Sequence, residues 1–576
     1  MTPVRSPTSR RLWWKVIPPI TYFAAYALVT WPWVLHLWAK APSSIDVSMF
    51  VWDFWWMRHA IETLQWPFHT EHAMAPMGGS MAFQGMHLTA FVSVPIQHVV
   101  GTATAYNLLA VAVVVGAGCA MYALARDMHI DRIPALFCGL LLVASPHLAF
   151  RYGESGHMNL AHVLWIPVAL LAVRVYLRDP TVWRGMLVGA ALAGSFLSDL
   201  TITIFAMSLV TAYLAGLLVY RWRTVLGAIR VVPVLAGIAT FLVLSAPPMI
   251  ELASVLSGPG VPNPRGLGSS EISGNDPTAL LIPNLRREGF GHLGIAATIL
   301  ATLGLVLYAR GRPLMVWAAI VVVGCVVLSM GVHLVIGDAR FVPVPITILE
   351  SPTEVSALMP FTWVQSVLPH LRNPMRFMLL GAVPLALLAG FALHFLLRDH
   401  YRLGIALALV LVPVSLLDAR NPIDTSMVSA LSPAHRPVVA EPDQSAIVVD
   451  VPLGFRTGYD LYGWQDGPPL VWATLHEHPV AVGFFARMAR PELQKRVFVP
   501  LYRDLMALQD RPVDAPPPEV LNAAEGRASA LEGNMKYVVV QRRIRGFPLV
   551  VDYLAAAGFQ LVAEDPEMVT YQLQGR

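Results

Sequence analysis

The chain has 576 residues, of which 56% are hydrophobic and only 13% charged, whereas a soluble globular protein carries about 25% charged residues. That composition excludes a soluble enzyme, and a net charge of +4 over this length gives no reason to expect a nucleic-acid partner. Cys119, Cys138 and Cys325 all sit in apolar runs without metal-ligand spacing and read as small buried hydrophobes.

The N-terminus carries Arg5, Arg10, Arg11 and Lys15 ahead of a long Trp-rich apolar run, which reads as an uncleaved first span. Apolar length places spans at 16–38, 105–125, 133–150, 160–178, 185–198, 200–220, 225–250, 292–309, 314–336, 375–397 and 403–418, about eleven crossings. With the N-terminus in the cytoplasm, every short inside loop is basic: Arg126 and Arg132, Arg178 and Arg184, Arg221 and Arg223, Arg310 and Arg312, Arg398 and Arg402. The long loops 39–104, 251–291 and 337–374 then lie outside, and with an odd number of spans so does the C-terminal region. Residues 87–100 contain Pro95 and are short for a crossing, so they are expected as an interfacial or re-entrant helix.

The first outer loop begins Ser43-Ser-Ile-Asp46 and continues to Trp52-Asp53-Phe-Trp-Trp-Met-Arg58-His59. Asp46 and Asp53 are seven apart and share a helical face, and the rest of that helix is aromatic, which suits the membrane interface. Carboxylates held beside lipid headgroups point to a catalytic or metal-binding acid, or else to an N-cap and a solvated side chain. The turn Arg151-Tyr-Gly-Glu154-Ser-Gly-His157-Met-Asn159 falls on the same outer side. Its Glu and His suit a metal ion, a phosphate or the orientation of another carboxylate, or simply cap helix ends. Leu371-Arg372-Asn-Pro374-Met-Arg376-Phe377 opens a late span, with two arginines four apart. Such a pair matches phosphate oxygens, or snorkels to headgroups. Ser273-Gly-Asn-Asp276-Pro reads as a turn, Pro76-Met-Gly78-Gly79 as a plain loop, and His476 and His478 as solvated or capping residues.

Residues 419–445 read as a linker rich in turn dipeptides, following a membrane domain of 1–418. Beyond it, 446–576 is expected as a small extracytoplasmic α/β domain. Ile447–Val451 and Lys536–Val540 read as strands, Phe547–Ala557 as a helix stopped by Gly558, and 560–563 with 568–573 as a closing hairpin. The fold class is therefore a polytopic α-helical membrane protein of about eleven transmembrane helices with a C-terminal α/β domain. No nucleotide-binding, nucleophile-elbow or metalloprotease motif is present in the sequence.

Several of these motifs together resemble bacterial membrane glycosyltransferases of the GT-C superfamily, especially its YfhO-like members with an extracytoplasmic tail. The residues are Ile45-Asp46 with its aromatic helix, Ala105-Tyr-Asn107 opening a span that ends Tyr122-Ala-Leu-Ala-Arg126, and Gly156-His157-Met-Asn159-Leu. Asn275-Asp276-Pro with Ile282-Pro283, and Arg372-Asn-Pro374-Met-Arg376-Phe377, complete the set. The resemblance implies a GT-C-like membrane domain and a polyprenyl-phosphate-linked sugar as donor, with an extracytoplasmic glycan, lipid or protein as acceptor. It implies hexosyl or pentosyl transfer with inversion, at the bacterial plasma (inner) membrane. Asp46 matches the catalytic acid of the first loop. Where that signature often has adjacent acids, this chain has Ile45-Asp46-Val47, so a second acid is Asp53 or Glu154. Arg372, Arg376, His157, Asn159, Arg58, His59 and Asp276 are the expected substrate contacts. Asp46, Glu154 and His157 are the candidate ligands for a divalent cation, Mg or Mn. A lipid-linked saccharide transporter or flippase, or a non-catalytic cell-envelope scaffold, would share the span pattern. A transporter would more often place ionisable groups mid-span, whereas here Asp199, between two spans, is the main exception.

Overall fold

A computed structural model gives the architecture. It describes residues 7–575 apart from 39, 43, 154–155, 258–273, 279–291, 337–338, 342, 349–350, 357–358, 369–370, 372, 424–429, 459, 465–466, 513–517 and 519–520. The chain divides into two compact units. One comprises Met1–His36, Leu108–Ala246 and Pro264–Asp424, the other Leu37–Asn107, Pro247–Asn263 and Thr425–Arg576.

The first unit is built of apolar helices, and helices occupy all eleven expected spans. Six of the chain's described helices are long and apolar enough to cross a membrane, or seven if the bent pair Arg132–Val143 and Pro146–Tyr152 is one span. The expected count of about eleven is not reached on that measure. For three of the expected spans the physical reason is length. Ile295–Tyr308 has 14 residues, and Val182–Ser198 and Pro313–Ser329 have 17 each. At about 1.5 Å per residue these fall short of a hydrocarbon core of about 30 Å.

Phe377–Asp399 is the centre of this unit, with 17 of its 23 residues buried. It packs on Ile295–Tyr308, Pro313–Ser329 and Arg132–Val143. Small residues permit the approach: a Cβ at Gly304 would stand 2.7 Å from the Cβ of Ala392. Cys138 and Cys325 are buried as expected, and all three cysteines are free. Some of the basic loops make local contacts with one another. Arg174 and Arg178 grip Asp127 at 2.7 and 2.6 Å, and Arg312 and Arg398 both lie over the Phe395 ring.

In the second unit, a four-stranded sheet has the order Phe559–Glu564, Met568–Leu573, Met535–Gln541, Ile447–Val451. The first three strands are antiparallel, and Ile447–Val451 joins Met535–Gln541 in parallel. Both parallel strands are almost wholly buried, which is why they carry runs of β-branched residues. A smaller sheet pairs Gly454–Thr457 with Leu461–Gly463 and Gly483–Phe485. The helix Phe547–Ala556 ends at Gly558, whose φ is +82°.

The first-loop residues belong to this same unit. The helix Ile45–Glu62 has 13 of its 18 residues buried, Trp52, Trp55 and Trp56 among them. These indoles were expected at a lipid interface; they are packed inside protein instead. Trp55 Nε1 donates to Glu477 Oε1 (3.2 Å), and Trp56 Nε1 to the Pro67 carbonyl (3.0 Å). The loop that follows is laced to the C-terminal region. Gln84 Nε2 donates to the Phe484 carbonyl (2.7 Å), and its Oε1 accepts from the Ala486 amide (2.9 Å). The Met74 and Ala75 amides donate to the Val482 and Val480 carbonyls, and the Tyr502 hydroxyl donates to the Ala75 carbonyl. Arg496 donates to the Gly78 carbonyl, so the Pro76–Gly79 stretch is a docking element rather than a plain loop. Residues 87–100 form a helix, His87–Val100, whose Gln97 Nε2 donates to the Phe54 carbonyl (2.8 Å).

Gly78 has φ +60°, and a Cβ there would fall on the Thr70 carbonyl. The Gly78→Ala protein is expected to lose on the order of 2 kcal/mol of stability from backbone strain. Limited proteolysis should cut faster within residues 63–86 while helix content stays the same. An unchanged cleavage rate would mean that this turn does not hold the loop in place.

Candidate functional site

Asp46 lies in the first turn of Ile45–Glu62, where Ser44 is the N-cap with extended backbone (φ −151°, ψ 142°). The Ser44 hydroxyl accepts from the Asp46 amide (3.3 Å), which fixes the helix start. Asp46 therefore sits at the positive end of a helix, which favours a carboxylate. It is 9% exposed. Arg456 Nη1 is 4.0 Å from its Oδ1, and the Arg456 guanidinium lies over the Phe484 ring. Arg456 is a functional candidate that the sequence reading missed. It stands on the strand Gly454–Thr457, some 400 residues away in the chain, and no local motif links it to the first loop.

Asp53 is enclosed at 5% exposure. Burial pushes its carboxyl well above the usual carboxylate range, against a smaller opposing influence from Gln84. Burial thus favours its neutral form, which suits packing more than base catalysis. Arg58 is drawn into an ion pair with Glu477 (2.9 Å) and stands 4.0 Å from Glu62. His59 stacks on Trp55, with ring centroids 4.8 Å apart, and its ring lies 5.0 Å from that of His72.

Glu154 and Arg372 lie outside the described residues. Two of the other candidates, from separate motifs, are joined within the first unit. Asn159 Nδ2 donates to Asp199 Oδ2 (2.6 Å), Asp199 Oδ1 accepts from the Thr201 amide (2.6 Å), and Arg376 Nη1 donates to the Thr201 hydroxyl (3.3 Å). Asp199 thus ends one helix and caps the next, and it links the Gly156–Leu160 turn to the Arg376 helix start. Its signal in the sequence was being the lone charge between two charge-free stretches. His157 precedes the short helix Met158–Ala161. Asp276 accepts from the Thr278 amide and hydroxyl (2.8 and 2.7 Å), and Asn275 Nδ2 donates to the Ser329 hydroxyl (3.0 Å). The Asn-Asp-Pro segment is therefore a self-capped turn, as its sequence suggests.

Among the described residues, no three His, Cys, Asp or Glu gather as a group able to hold a metal ion. The expected set of Asp46, Glu154 and His157 includes one residue that is not described.

The histidines of the second unit form a succession of ring contacts. His435 and His476 stack at 6.3 Å, and His476 and His478 at 5.8 Å. His476 and His478 are buried, not solvated, and the His478 amide donates to His476 Nδ1 (3.1 Å).

No protein-family model matches the sequence, and no curated protein is similar to it. The fold does have solved counterparts. The arabinofuranosyltransferase AftD from Mycobacteria aligns over 98% of this chain and 40% of its own, with a TM-score of 0.59 and 15% identity. This chain thus spans about two fifths of the length of that protein. The oligosaccharyltransferase AglB from Archaeoglobus fulgidus aligns over 92% of this chain and 70% of its own (TM-score 0.46, 11% identity). ArnT from Cupriavidus metallidurans aligns over 98% of each chain (TM-score 0.46, 13% identity). At these identities the likeness is one of fold.

Burial lowers the pKa of His72 to about 4, with help from His59 and His478, and that of His435 to about 4 despite opposing influences from Ser432 and Asp565. His59, His476 and His478 are lowered too, again chiefly by burial. The imidazoles are therefore neutral in the fold, and unfolding takes up protons once the pH is below about 6.5. They add no pH-dependent cost above that pH, and they destabilise the fold progressively as the pH falls from 6.5 toward 4. For His72 and His435 that loss reaches about 3 kcal/mol each once the pH is below 4. Thermal midpoints should drop steeply across that window, and His72→Gln should flatten the slope. A midpoint independent of pH between 6.5 and 4 would contradict this assignment.

Proposed function

We propose that this multi-pass membrane protein, which has a GT-C-type fold, transfers a sugar from a polyprenyl-phosphate donor to an extracytoplasmic acceptor. The observation that carries the reading is the setting of Asp46: a carboxylate at a helix N-terminus, enclosed by protein, with an arginine 4.0 Å away. The fold shared with AftD supports the same class of chemistry.

In this reading Asp46 takes the proton from an acceptor hydroxyl as that oxygen attacks the anomeric carbon. The bond from that carbon to the lipid phosphate breaks, and the electron pair leaves with the phosphate. A single displacement inverts the sugar. The leaving phosphate is already acidic, so no separate general acid is needed. Arg376, together with Arg372, binds the phosphate and stabilises its growing charge. The bond from Arg376 to Thr201, itself seated on the Asp199 cap, holds that guanidinium in one orientation. Arg456 places a positive charge beside Asp46.

The Asp46→Asn protein should insert normally and lose transfer by on the order of a hundredfold or more in an assay with a polyprenyl-phosphate sugar. Arg376→Ala should chiefly raise the KM for the donor, by roughly tenfold or more. Full complementation by Asp46→Asn of a strain lacking the gene would overturn the catalytic assignment.

The orientation has its own test. The proposed topology puts the C-terminal region outside the cytoplasm, so a periplasmically active reporter fused after Arg420 should work, and a cytoplasmically active one should not. The reverse pattern would invert every loop assignment.

A further inference from the structure

The second unit carries a groove of about 520 Å³ that none of the roles above uses. Its walls come from the C-terminal end of the first-loop helix, the segment after it, and the C-terminal region. His59, His72, Glu71, Glu477, Gln444 and Asn534 line it. The volume is within the range of small-ligand sites.

The chemistry of these walls narrows the occupant. Among the described residues that line the groove there is no lysine or arginine. Arg58, on the same helix, is taken up by Glu477. Burial keeps the two imidazoles uncharged at neutral pH. A phosphate or carboxylate ligand therefore meets Glu71 and an already paired Glu477, with no lysine or arginine among the described lining residues to receive it. An uncharged ligand rich in hydroxyls meets what it needs. Carboxylates and side-chain amides accept and donate to neighbouring hydroxyls, and neutral imidazoles do both. The His59 ring on the wall is held in place by its stack on the buried Trp55.

The position adds a second constraint. His59 is thirteen residues beyond Asp46 on one helix, Ile45–Glu62. At about 1.5 Å per residue the two are roughly 20 Å apart along its axis. A single sugar cannot bridge that distance, whereas an oligosaccharide can.

We propose that this groove is a distal subsite for a neutral glycan acceptor, holding the chain some 20 Å from the carboxylate of Asp46. The assignment rests on the glycosyl-transfer reading of the previous subsection. Short acceptors do not reach the groove, while longer ones gain affinity from it.

Glu71 and Gln444 are exposed on its walls, so replacing them leaves the packing intact. Full-length protein in nanodiscs is titrated with neutral tri- to hexasaccharides of arabinan, galactan, mannan and glucan. At least one series should bind, and Asp46→Asn should bind it equally well. The double variant Glu71→Ala/Gln444→Ala should weaken binding at least tenfold and raise the KM for long acceptors by a similar factor. Its kcat with short acceptors should not change. The subsite is refuted if no oligosaccharide binds, if the double variant binds as well as the parent, or if inorganic phosphate or an unglycosylated peptide occupies the groove instead. The two readings separate cleanly. If Asp46→Asn still transfers sugar but the double variant has lost binding, the subsite stands and the catalytic assignment falls. If Asp46→Asn is inactive and the double variant has an unchanged KM for long acceptors, the subsite falls and sugar transfer stands.

Discussion

The second unit depends on the enclosure of one helix. Ile45–Glu62 is apolar on almost every side, and a helix of that kind has to be buried all round. Three tryptophans make the demand strong, since each hides 150–250 Å² when buried, worth several kcal/mol at about 25 cal/mol per Å². The C-terminal region meets it with Pro468–His476, which packs along the helix, and with Glu477, which satisfies both the Trp55 indole and the Arg58 guanidinium. Glu477 reaches both from a left-handed backbone position (φ 62°) that closes the Pro468–His476 helix. Once the helix is enclosed, the rest is fixed. Asp46 is held at its start beside Arg456, and His59 at its end beside His72.

The same fact explains what the sequence made legible. The sheet of the second unit could be read because Ile447–Val451 and Met535–Gln541 are buried on both faces and so carry runs of β-branched residues, Ile447–Val449 and Val538–Val540. The helix Phe547–Ala556 and the final hairpin were equally visible, since Gly558 and the Asp565–Glu567 turn punctuate them. The candidate site was legible only in part. Asp46, Asn159 and Arg376 each stand in a recognisable local motif. The partners that give them a setting do not: Arg456 is one arginine in a short strand, and Thr201 is one threonine in an apolar helix.

The misplacement of the tryptophans has a specific physical cause. An indole with an apolar body and one N–H donor suits a membrane interface and a protein interior equally well, provided the donor finds a partner. Local sequence shows the body and not the partner. Here the acceptors are Glu477, more than 400 residues on, and the Pro67 carbonyl in the same loop. Asp53 belongs to the same problem. Its spacing from Asp46 suggested a pair of equivalent acids, but seven residues along one face bring it deeper into the packing, where burial and not charge decides its protonation.

In the first unit the order of the links matters. A carboxylate bonded straight to Arg376 would cancel much of its charge. Instead Asp199 spends one oxygen on the Thr201 amide and the other on Asn159, and Arg376 Nη1 bonds to the Thr201 hydroxyl. A hydroxyl orients a guanidinium without neutralising it. The acid therefore acts on the helix break, where it satisfies an amide at a helix start that would otherwise lack an acceptor. Arg376 stands at the start of Phe377–Asp399, where the helix dipole is also positive. A guanidinium and a helix start together favour an anion there, while Asp199, one residue before its own helix, serves as the N-cap of Leu200–Ala228.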